Sequence, residues 1–75
     1  MPQFRSSRDV LVPRLRTLRN WLALSQDDLA EKAGVGRTTI ARGERGLPIR
    51  PSSVRKLATA LGVTPRELQR PPEDN

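Results

Sequence analysis

The sequence predicts an all-α domain built from five short helices. Apolar residues recur at spacings of three and four and nowhere alternate with period two over a useful length, which favours helices over strands. Between these periodic segments stand Ser, Thr, Gly and Pro at positions that start and stop helices. The chain has 75 residues. That length makes one domain with a modest core, burying on the order of 60% of the surface its unfolded form exposes.

Each element has its own local grounds. Residues 1–11, MPQFRSSRDVL, read as a flexible basic arm carrying Phe4, Arg5 and Arg8. The first helix is expected to begin near Val12 or Pro13, since proline suits the first helical position. Leu11, Leu15, Leu18 and Leu22 then form a stripe expected to face the core. Ser25 is placed to cap a second helix starting at Gln26 with Asp28 at its third position, and Leu24 and Leu29 are placed to staple it. Leu29, Ala30 and Ala33 give that helix a small-residue inner face, and Gly34 ends it in the left-handed conformation that glycine adopts most cheaply. Val35 plugs the turn and Gly36 caps a third helix, Arg37 to about Glu44, with Ile40 and Ala41 turned inward. Gly46 to Pro51 form a stiff connection, because its prolines cannot continue the helix. The fourth helix runs from about Ser52 to Leu61, with Val54, Leu57, Ala58 and Leu61 on one face and Gly62 as its stop. Thr64, Pro65 and Glu67 spell a capping box for a fifth helix, stapled by Val63 and Leu68 and ended by Pro71 and Pro72. The folded domain is thus expected over residues 12–70, followed by an acidic tail at 71–75.

Charge and residue inventory narrow the function. The formal net charge is +6, and 12 of the 14 basic residues are arginine. A small basic domain points to a polyanionic partner. Cysteine and histidine are absent, which removes disulfides and the residues that most often bind zinc or serve as nucleophile and general base. With no glycine-rich phosphate loop after a strand, the chain is expected to be no enzyme, with no cofactor, no metal and no small-molecule ligand. No apolar run approaches a membrane span and none resembles a signal peptide, so a cytoplasmic protein without membrane contact is expected.

The segment Leu24–Gly46, LSQDDLAEKAGVGRTTIARGERG, carries the functional signal. It sets two short helices around a tight glycine turn, and the outer face of the second is polar and basic: Arg37, Thr38, Thr39 and Arg42. Such side chains donate to base edges and phosphates, arginine to guanine being the commonest specific contact. From about Leu15 to Leu68 the chain resembles the lambda-repressor and Cro type of helix-turn-helix domain, the XRE-like family of bacterial and phage regulators. Leu18-Arg19, Ser25-Gln26, Leu29-Ala30, Gly34, Ile40, Glu44 with Gly46, the LATALGV run, Thr64 and Leu68 carry that resemblance.

The resemblance implies that helices two and three are the DNA reader. Gln26 would anchor a phosphate where the second helix meets the backbone. Arg37, first in the recognition helix, would reach base edges in the major groove. Thr38 and Thr39 would offer hydroxyls or methyl groups to bases, and Arg42 would reach a base or, in preference, a phosphate. Arg45 and Arg50 flank a loop that runs along the sugar-phosphate backbone in this family, and Arg5 and Arg8 are candidates for a groove-reaching arm. Arg19 and Glu44 match a buried ion pair that braces related repressors. The chain departs from the family pattern at Gly43, where a large apolar residue is usual, and at Gly36 in place of a serine cap. Trp21 is a candidate to fill the room left by Gly43.

The implied activity is sequence-specific, double-stranded DNA-binding transcriptional regulation, with a repressor acting as a homodimer on a two-fold operator. The fifth helix and tail, including Val63, Leu68 and Pro71, are the candidate dimer surface. The alternative is a protein-interaction module, an antitoxin or accessory bridging factor with weak or vestigial DNA binding, whose partner is a toxin or another regulator. Exposed apolar residues on the outer face of the third helix would favour it. RNA binding is disfavoured by having only Phe4 and Trp21 as stacking platforms.

Overall fold

The structure is a computed structural model describing residues 8–71. Five helices form among them: α1 (Leu15–Trp21), α2 (Gln26–Ala33), α3 (Arg37–Glu44), α4 (Pro51–Leu61) and α5 (Pro65–Gln69). Strand-like pairing among the described residues is a single antiparallel bridge between Val10 and Ile49, with reciprocal N–H···O bonds of 2.9 Å. Phe4, Arg5 and residues 72–75 lie outside the described residues. Val10, assigned to the arm on sequence, is fastened by this bridge to the segment that leads into α4.

Local chemistry explains where the helices begin and end. Ser25 caps α2 reciprocally: its Oγ accepts the Asp28 N–H at 2.9 Å, and its own N–H donates to the Asp28 carboxylate at 3.0 Å. The Ser25 backbone N–H, and next its hydroxyl, hold the Asp28 carboxyl below its ordinary pKa. Gly34 and Gly62 close α2 and α4 at φ of 74° and 75°. α4 starts one residue earlier than the spacing predicts, because Pro51 takes the first helical position instead of ending the connection. The capping box of α5 is only half formed. Thr64 Oγ1 accepts the Glu67 N–H at 3.1 Å, but the Glu67 carboxylate turns to Arg70 at 2.9 Å and Arg14 at 3.6 Å.

α1 departs most from the expected pattern. It begins at Leu15, after a turn in which the Leu15 N–H donates to the Val12 carbonyl at 3.0 Å. Pro13 therefore lies in the turn, and Leu11 is off the helical face. Leu15 is buried and Leu18 packs against the core, whereas Leu11 and Leu22 are exposed and Val12 is buried in their stead. Beyond α1 the chain passes through Ala23 at φ 58°, the one non-glycine residue with positive φ among those described.

The core unites Val12, Leu15, Leu29, Ile40, Ile49, Val54, Leu57, Ala58, Leu61 and Leu68. α2 packs on α3 and α4, α5 packs on α4, and α1 packs on α3. Gly43 sits where α1 approaches α3: a Cβ there would lie 2.9 Å from Val12 Cγ2 and 3.0 Å from Leu15 Cδ2. Those two side chains fill the space, so Trp21 does not; it is 82% exposed. Leu68, named for the dimer surface, is completely buried in the protomer and is a core residue. Its position four residues after the α5 cap turns it onto α4.

Candidate nucleic-acid interface

The α2–turn–α3 unit is held by its small residues and its caps. Gly34 reverses the chain after α2, Val35 tucks partly into the core, and Gly36 in extended conformation starts α3. Ile40 and Gly43 are the buried positions of α3. Arg37 and Thr38, in its first turn, are exposed, and Thr39 and Arg42 are half-buried. No large apolar side chain is exposed on α3; among the described residues the exposed ones are Leu11, Trp21 and Leu22. The accessible surface of α3 is therefore polar and basic.

Behind this face lies a polar network centred on Glu44, whose side chain is 1% exposed. Its carboxylate accepts from Arg19 Nε at 2.5 Å and Arg19 Nη2 at 3.0 Å, from Arg16 Nε at 3.3 Å and from Gln26 Nε2 at 3.0 Å. Arg19 also donates to the Leu24 carbonyl at 2.8 Å. The brace inferred for Arg19 and Glu44 is thus present and fully hydrogen-bonded, as a buried charge requires. Burial alone pushes the Glu44 carboxyl upward, but the bonds from Arg19, Gln26 and Arg16 outweigh it and hold the pKa below the ordinary value. The bond to Glu44 raises the Arg19 guanidinium correspondingly.

Gln26 joins the brace to the outer face. Its Nε2 is committed to Glu44, and its Oε1 accepts from Arg37 Nε at 3.4 Å. Asp27 lies on the same Nε, with its Oδ1 at 3.6 Å. Arg42 donates through Nη2 to the Pro48 carbonyl at 3.3 Å, tying α3 to the following loop. Arg45 and Arg50 are exposed, and their side chains hold no partner among the described residues. The structure thus brings Gln26 and Arg37 into contact, presents Thr38 on the same helix, and sets Arg45 and Arg50 at the two ends of the loop.

Two members of the network escaped the sequence. Arg16 lies three residues before Arg19 on α1, a spacing that places both on one helix face and was the available signal. Asp27 had a fainter one: a cation at the start of α3 opposes the helix dipole and is relieved by a nearby carboxylate.

The family model described as Helix-turn-helix matches residues 15–68. The chain belongs to this helix-turn-helix family. It is 35% identical over 75 residues to a hypothetical transcription factor of Neisseria meningitidis serogroup B, covering 99% of this chain and 71% of the relative. Among solved structures, the restriction-modification controller protein C.AhdI from Aeromonas hydrophila is similar at 45% identity and a TM-score of 0.68, over 73% of this chain and 85% of that one. The hypothetical transcription factor NHTF from Neisseria gives 38% identity and a TM-score of 0.73, over 87% and 74% of the two chains. This helix-turn-helix protein is accordingly a DNA-binding transcription regulator with the all-α fold of these neighbours. No described helix is long and apolar enough to cross a membrane.

Proposed function

We propose that this regulator is a repressor of the controller kind, acting as a homodimer on a two-fold operator. In this reading α3 enters the major groove with Arg37, Thr38 and Thr39 at base edges, while Gln26 meets the backbone at the start of α2. Arg42, Arg45 and Arg50 line the phosphates beyond α3. The observation that supports it best is the exposed polar and basic face of α3, free of large apolar residues and backed by the Glu44 network. Two such readers would span half-sites about 34 to 36 Å apart, one helical turn. The likeness to C.AhdI, a restriction-modification controller protein, supports the controller reading.

The test is selection of bound sites from a random-sequence duplex pool, followed by salt-dependent titration of the parent and of Arg37→Ala. A two-fold motif is expected, with Arg37→Ala flattening one position in each half at about 1 to 3 kcal/mol while the salt slope changes little. Sequence-blind binding indifferent to Arg37 would refute the proposal.

A further inference from the structure

Arg37 is held by only one edge of its guanidinium. Gln26 Oε1 and Asp27 Oδ1 both approach Nε, at 3.4 and 3.6 Å, whereas Nη1 and Nη2 donate no hydrogen bond to the described residues. The two holders lie side by side at the start of α2, and Gln26 is itself fixed by the buried Glu44. Arg37 and Asp27 are 63% and 76% exposed. An ion pair so open adds little to folding, and an exposed carboxylate on a face meant for DNA repels phosphates. Its position is explained if it serves Arg37.

We infer that Asp27 is a specificity-determining positioning residue: with Gln26 it clasps the Nε edge of Arg37 and leaves the paired Nη1 and Nη2 groups directed for bidentate contact with a guanine. A freely rotating arginine offers its charge equally to phosphates and bases. The clasp removes part of that freedom before binding, so less is lost when the base contact forms. Once the duplex excludes water from this face, the local dielectric falls and the carboxylate's hold on Nε strengthens. The carboxylate also disfavours docking in which Arg37 turns to a phosphate, so it works against non-specific binding as well. This inference rests on the DNA-reading role proposed for α3.

Four proteins decide it: the parent, Asp27→Asn, Arg37→Ala and the double variant. Each is titrated at one salt concentration against the selected duplex and against a duplex altered only at the base pair that Arg37→Ala flattens. Circular dichroism melting establishes that all four fold alike. A bidentate arginine–guanine contact discriminates by about 5- to 150-fold, and Asp27→Asn is expected to remove about 3- to 10-fold of it. In the Arg37→Ala background the same change should alter discrimination less than about twofold, because Asp27 acts through Arg37. If Asp27→Asn shifts both duplexes by a common factor in either background, Asp27 contributes only bulk charge and the clasp is overturned. A parent that selects no motif overturns the DNA reading itself, a result distinct from a parent that selects one while Asp27→Asn leaves discrimination intact.

Discussion

Glu44→Gln tests the network that braces α1 against α3 and holds Gln26. The substitution keeps the shape of the side chain but removes the charge that accepts from Arg19, Arg16 and Gln26. Breaking a buried pair by removing one partner costs about 3 to 5 kcal/mol, because the other charge is left without compensation. The low end applies here. Arg19 keeps its bond to the Leu24 carbonyl at 2.8 Å and retains 13% of its side-chain surface in water. A loss of about 3 kcal/mol corresponds to a fall in melting temperature of about 12 to 24 °C for a domain of this size. Thermal unfolding followed by far-ultraviolet circular dichroism at neutral pH reads it directly. A fall of less than about 4 °C would place the pair among exposed ion pairs, whose contribution is at most about 1 kcal/mol, and would refute the buried-brace argument. DNA binding by this variant must be compared below its melting transition, since at higher temperature a folding defect would pass for a recognition defect.

Acid should reproduce part of that loss: the folded-state pKa of Glu44 lies below its unfolded value, so its contribution is complete above the unfolded pKa and disappears as pH falls through the folded one. Urea titrations between about pH 5 and about pH 3 should show the parent losing stability more steeply than Glu44→Gln. Gly43→Ala gains about 1 kcal/mol of helix propensity. It also sets a Cβ 2.9 Å from Val12 Cγ2 on a stiff, buried side chain, so overpacking of about 1 to 3 kcal/mol should leave it destabilised in chemical denaturation. Ala23→Gly should instead stabilise by about 0.5 to 1 kcal/mol, since Ala23 holds the left-handed conformation at φ 58° that glycine adopts without strain. The emission of Trp21, the single tryptophan, should be quenched by iodide in the native protein. Trp21→Ser should change stability by no more than about 0.5 kcal/mol, as expected of a side chain 82% exposed.

Local rules written in the chain determined most of the helices. Ser25, Gly34, Gly36 and Gly62 act on backbone groups within four residues, so α2 and α3 begin where their caps say, and the face of α4 follows from its spacing. The outer face of α3 was equally legible, because Ile40 can point only one way. What only the tertiary structure decided involves partners distant in the chain. Val12 displaced Leu11 and Leu22 from the core because Gly43, thirty-one positions later, lets it approach α3 closely. Glu67 left its cap for Arg14 and Arg70, and Leu68 went to the core instead of a dimer surface. Asp27 met Arg37 because the glycine turn brings the starts of α2 and α3 together. A side chain's local role is set by backbone atoms a few residues away, whereas its final partner is set by whichever charge or void the packed helices place beside it.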